Sequence, residues 1–184
     1  MALPGPTDSS RWLLSLAEVD SEPGPVFDWP VWVATALCMG VCVLMHYEVI
    51  RLLLLGLQRY RGAMRVLLPG VIFCLIFAHL TQIGVYAAGY WCLSMWFDGQ
   101  VGGLQGETHG SFTDLLYFSA AVFTTVGFGD IIPTGTLRVL VATEALTGLV
   151  LITWSASFTF LIMQRYFGQL LHPEKKPPPT QDDP

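Results

Sequence analysis

Residues 111–133 read SFTDLLYFSAAVFTTVGFGDIIP, and this stretch decides the fold. Its first part, 112–124, is an apolar helical run of about three turns. At about 1.5 Å of rise per residue it is too short to cross a bilayer, which takes about 20 apolar residues. The run ends in Gly127, Gly129 and Pro133, which stop a helix. A short apolar helix that enters a membrane has to return. Non-helical backbone at that depth is tolerated only where protein or a watery cavity surrounds it. The segment therefore predicts a re-entrant loop.

Working outward, three runs are long enough to span: about Val31 to Leu57, about Leu67 to Phe97, and about Leu137 to Phe167. Pro69 is expected in the first turn of the second helix, where no backbone donor is missed. Trp91 and Trp96 read as interfacial anchors near its end. Between that helix and the short one, residues 98–111 (DGQVGGLQGETHGS) read as an exposed loop. The composition agrees with a membrane protein. Hydrophobic residues make up 53% of the 184 and charged residues only 12%, about half the share of soluble domains; mean hydropathy is +0.54. A net charge of -5 speaks against a nucleic-acid partner. Cys38, Cys42, Cys74 and Cys92 lie within apolar runs at spacings that match no zinc pattern, and read as buried free thiols.

Charge sets the expected orientation. Arg51, Arg59, Arg61 and Arg65 cluster at the loop between spans one and two, and Arg165, Lys175 and Lys176 follow span three. The positive-inside rule makes that side cytoplasmic. The expectation is an integral protein of the cell (inner) membrane with its N-terminus outside and its C-terminus cytoplasmic. Residues 1–30 form an acidic, proline-punctuated extracytoplasmic segment, in which Trp12–Ala17 is a candidate surface helix. Residues 31–57 form a first transmembrane helix, 67–168 a second unit, and 169–184 a disordered cytoplasmic tail.

Thr124-Thr125-Val126-Gly127-Phe128-Gly129-Asp130 resembles the selectivity filter of the potassium-channel pore family, which reads T-V-G-Y-G-D with Phe often in place of Tyr. The resemblance covers roughly residues 112–168: a pore helix (112–124), a filter (125–130), Pro133, and an inner helix (137–167) with a glycine about midway. With 67–97 as outer helix, residues 67–168 form the pore domain. Residues 1–66 have no counterpart, so the first span is an addition. The resemblance implies passive, potassium-selective conduction, with K+ held at Thr125, Val126, Gly127 and Phe128, and Gly148 as a gating hinge. The pore-helix acid of some relatives is absent, since Ala121 holds its place.

The residues support this on their own terms. A filter replaces an ion's hydration shell with protein oxygens. Turning successive carbonyls inward takes unusual dihedrals, which Gly127 and Gly129 supply without a side-chain clash. The Thr125 hydroxyl can add an innermost ring, and the negative C-terminal end of the short helix favours a cation. Asp130, with Asp98, Glu107 and Asp114, raises local cation concentration. One filter segment per chain cannot enclose an ion, and closed symmetry predicts a homotetramer. The expected fold class is thus an all-α membrane protein with three transmembrane helices, a re-entrant pore helix and a filter, assembled as a tetrameric pore. Nothing resembles a catalytic set, and no cofactor is expected. Gly127-x-Gly129 is no dinucleotide fingerprint, because Ile132 takes the third glycine position and no strand precedes it.

Glu144, an acid inside an apolar helix, is expected to support the filter, as is Thr124. Its expected partner is a group behind the filter or Arg138 of a neighbouring copy. Gly148 reads equally as a small residue permitting close helix contact. Two faces of the inner helix compete to line the water: Gly148, Ser155 and Thr159, or Ile152, Ala156 and Phe160. A nonselective cation channel is one rival reading. The other, of a different class, is an electron-transfer membrane protein binding haem or a metal. It rests on His46 and His79, which antiparallel helices bring to similar depth. Gln82 and Tyr86 extend His79 into a polar stripe that suits interhelical hydrogen bonding. Voltage sensing lacks its repeated arginines within a span.

Overall fold

A computed structural model describes residues 28–59, 64–97, 100–106, 108 and 110–171. The expectations for the N-terminal segment up to 27, Arg61, Asp98, Glu107 and the tail from 172 lie outside the described residues. The elements are α1 (Trp29–Arg59), α2 (Met64–Trp96), β1 (Leu104–Gly106), α3 (Phe112–Phe123), β2 (Ile131–Pro133) and α4 (Leu137–Leu171). Within α1, α2 and α4, the segments Trp29–Gln58, Val66–Trp96 and Leu137–Arg165 are long and apolar enough to cross a membrane. The protein is mostly helical, with three membrane-length helices, in line with the apolar runs of the sequence.

The boundaries differ in instructive ways. α1 begins at Trp29, where Asp28 accepts from the Val31 amide at 3.0 Å. α2 begins at Met64, so Pro69 lies within the helix, in its second turn rather than its first. There it removes one intrahelical bond, the one its amide would have made to the carbonyl of Arg65. α4 continues to Leu171, beyond Phe167 and into the stretch expected to be disordered. Burial divides the cysteines. Cys38 and Cys42 are buried and Cys74 and Cys92 exposed, all four as free thiols.

Leu104–Gly106 pairs antiparallel with Ile131–Pro133, and Val101 is buried. The stretch expected to be an exposed loop therefore contributes a strand and a core residue. It is clipped to the residues that follow the candidate filter. Thr134 Oγ1 and the Thr134 amide extend the clip to Gly103.

The main core gathers Tyr86 and Tyr90 of α2, Phe118 and Phe123 of α3, and Leu140 and Leu151 of α4, with Cys42 of α1. A second cluster at the far end joins Ile50, Val71, Leu75, Phe158 and Ile162. α1 packs against both α2 and α4. Large apolar side chains on the outward faces stay exposed, among them Leu44, Phe73, Phe77, Leu149 and Leu161, as suits helices surrounded by lipid or by other chains. Trp29, Trp32, Trp91 and Trp96 are exposed at one end of the bundle, the aromatic end.

Candidate functional site

α3 starts at the aromatic end, where Phe112 meets Trp91 edge to face, and finishes deep in the bundle with Phe123 beside His79. A capping box opens it. Ser111 Oγ accepts from the Asp114 amide at 3.2 Å, and Asp114 Oδ2 accepts from the Ser111 amide at 3.3 Å. Asp114, expected among the acids that attract cations, is thus committed to capping the helix.

The helix stops at Thr124 because its last carbonyls are taken by the chain that follows. Thr124 Oγ1 donates to the Ala120 carbonyl at 2.7 Å. The Thr125 amide donates to the Val122 carbonyl, and the amides of Val126 and Gly127 both donate to that of Ala121. Thr125, Gly127 and Gly129 have φ of 60°, 54° and 80°, while Val126 and Phe128 between them keep φ negative. Thr125 is the only non-glycine with positive φ among the described residues. Glycine's freedom was legible at 127 and 129; the strain carried by Thr125 was not. No backbone amide among the described residues donates to the carbonyls of Thr125, Val126, Gly127 and Phe128.

Side chains of this segment face outward from the chain, Val126 at 57% exposure and Phe128 at 68%. The Phe128 ring stacks on Tyr117 at 6.0 Å. Tyr117 Oη donates to Asp130 Oδ2 at 2.8 Å, and Asp130 Oδ1 accepts from the Ile131 amide. Tyr117 therefore holds both the aromatic and the acid of the motif, a role that nothing in its local sequence signals.

Behind the segment lies a buried polar junction. Glu144 of α4 is fully buried. It accepts from Tyr90 Oη of α2, and its Oε1 lies 2.5 Å from Ser119 Oγ of α3. Its partners within the chain are thus Tyr90 and Ser119, groups behind the TVGFGD segment, while the chain's own Arg138 donates from Nε to the Pro133 carbonyl. Tyr90 and Ser119 are polar residues inside apolar runs, the one signal that could have marked them. Gly148 sits where α3 ends, and a Cβ there would strike the Phe123 carbonyl. That geometry is close helix contact.

On α4, Gly148 and Ser155 pack inside the chain and Thr159 is half-buried, whereas Ile152, Ala156 and Phe160 are exposed.

His46 and His79 do meet at one depth, stacked with centroids 5.3 Å apart and planes 26° apart. Gln82 Nε2 contacts the Cys42 carbonyl, so its donor end faces His46 Nδ1 at 3.1 Å. The rest follows by donor and acceptor type. His46 Nε2 donates to Ser155 Oγ, which donates to His79 Nε2, and His79 Nδ1 donates to Gln82 Oε1. A closed ring of hydrogen bonds results, and it joins α1, α2 and α4. Haem held between two histidines needs their nitrogens facing across the iron with a macrocycle between the rings. Here the rings lie face to face with every nitrogen engaged, so the pair does not fit that group. Among the described residues no group of three or more His, Cys, Asp or Glu is placed to hold a metal ion.

No curated protein and no solved structure matches the chain. A family model described as "Ion channel" matches residues 70–165, just over half the chain. The matched span runs from the second turn of α2, through α3 and the TVGFGD segment, almost to the end of α4. Three membrane-length helices around such a segment agree with that match, and the chain belongs to the ion channel family.

Proposed function

We propose that the protein is a potassium-selective channel in which four copies surround a filter formed by Thr125–Asp130. The observation that carries this reading is the alternation of φ along 125–129, positive at Thr125, Gly127 and Gly129 and negative between. Alternation of that kind turns successive peptide groups the same way. Amides of 125–127 are already used by the end of α3, which leaves the carbonyls of Thr125, Val126, Gly127 and Phe128 for K+, as dehydrating an ion requires. The Thr125 hydroxyl adds the innermost ring. α3 then acts as a re-entrant pore helix with its negative end toward the ion, and Thr124 and Glu144 support the filter.

The tetramer follows from one segment per chain and closed symmetry. It also gives Val126 and Phe128, exposed in a single chain, neighbours to pack against. α2 serves as outer helix, α4 as inner helix, with Ile152, Ala156 and Phe160 on its cavity side and Gly148 at its contact with α3. The N-terminus is outside and the C-terminus cytoplasmic, in the cell membrane. Conduction is passive and needs no cofactor.

Purified protein in liposomes should pass K+ down its gradient, exclude Na+ and be blocked by barium, an ion of similar size and double charge. Equal K+ and Na+ flux would make it a nonselective cation channel, and a monomer or dimer as the stable mass would reject the tetramer.

A further inference from the structure

The junction behind the filter segment contains a proton whose owner can be found by counting donors. Ser119 Oγ lies 2.9 Å from the Ile83 carbonyl oxygen and 2.5 Å from Glu144 Oε1. A carbonyl oxygen only accepts, and a serine hydroxyl has one proton. If Ser119 gives it to Ile83, the short contact with Glu144 is a hydrogen bond only when Glu144 Oε1 brings a proton of its own. Tyr90 Oη donates to the other oxygen, Oε2.

The opposite allocation leaves an ionised carboxylate that is shut off from solvent and, among the described residues, has no cation beside it. Titratable groups near it are Tyr90 and Tyr86 from α2 and the thiols of Cys38 and Cys42 from α1. α3 faces it with Ser119, which does not titrate. On its own helix Arg138 is engaged at Pro133. None of the neighbours is a positive charge able to offset burial of an anion in a membrane interior.

We propose that Glu144 is held as a neutral carboxylic acid, a positioning residue whose O–H completes a one-way relay from Tyr90 through Glu144 and Ser119 to the Ile83 carbonyl. The relay fixes α3, and with it the filter, between α2 and α4. The proposal rests on the filter reading above for its effect on conduction, but not for the proton itself. Removing the proton turns Ser119 toward Glu144, abandons the Ile83 carbonyl and places a negative charge beside the pore helix. Flux should therefore fall as rising pH strips that proton.

Glutamine keeps the shape and the pattern, with one amide donor for Ser119 and one oxygen for Tyr90. The test compares wild type, Glu144→Gln and Ser119→Ala in liposomes by infrared spectroscopy and by K+ and Na+ flux against pH. The wild type is expected to show the C=O stretch of a protonated carboxylic acid. That band should vanish in Glu144→Gln and shift in Ser119→Ala, where the acid loses its acceptor. Glu144→Gln should keep the wild-type K+ preference while losing the fall with rising pH. Loss of carboxylate bands instead of the acid band in Glu144→Gln would overturn the proposal. So would a fall with rising pH that persists in Glu144→Gln. A wild type that fails to distinguish K+ from Na+ would reject the filter reading, and the infrared result would still decide the proton.

Discussion

Gly129 and Gly148 both belong to the family-matched region, and they are glycines for opposite reasons. At Gly129 a Cβ would meet nothing within 4 Å, but φ is 80°. At Gly148 the backbone is ordinary helix, but a Cβ would strike the Phe123 carbonyl. The first position needs conformation, the second needs space. The segment around Gly129 is exposed and held mainly through its own amides and Tyr117. The junction around Gly148 is the place where α2, α3 and α4 lock together. One region can therefore lose its task without losing its fold, and the other cannot.

Four substitutions break or sharpen that contrast. Gly148→Ala drives a methyl into helix backbone, which cannot give way as a side chain can. Overpacking of this kind should cost about 3 kcal/mol, read as a lower unfolding temperature and poor assembly in detergent. Unchanged stability would remove the close contact between α3 and α4. Gln82→Leu opens the histidine ring and leaves His46 Nδ1 and His79 Nδ1 without partners. The cost should be about 2 kcal/mol, seen by thermal unfolding, with K+ preference retained; a loss of preference would tie the ring to the filter.

Gly129→Ala forces a side chain into left-handed φ at about 1 kcal/mol. The protein should still assemble, and ion flux should show K+ preference or conduction lost. Retained wild-type preference would reject the filter assignment. Gly56→Ala, in α1 with open space around it, should stabilise its helix by under about 1 kcal/mol and leave flux unchanged. A flux defect there would show that α1 reaches the ion pathway.

How far the sequence could be read follows the range of the forces involved. The spans were legible because lipid demands about 20 apolar residues in a row, a local property. The TVGFGD segment was legible because its glycines answer to their own backbone. Histidine depth was legible too, since counting from helix ends places His46 opposite His79. What needed the structure is what depends on a distant partner. Leu104-Gln105-Gly106 has no strand pattern of its own and becomes one only against Ile131–Pro133. Asp114 looks like a surface acid until Ser111 claims it. Glu144 could be flagged as an acid in an apolar helix, but its partners lie on two other helices. Which face of α4 meets water was undecided between two sets about one residue apart, because a helix read alone has no inside.

The histidine ring makes one further point about architecture. The family match begins at residue 70, as though α1 were an appendage that could be added or removed. Yet Ser155 of α4 takes its bond from His46 of α1, and Thr136 at the head of α4 donates to Asp28 at the head of α1. Ile50 of α1 closes the cluster over Phe158 and Ile162 at the other end. α1 is therefore riveted to α4 at three levels along its length, so that the span matched by the family stops short of the packing its own residues take part in.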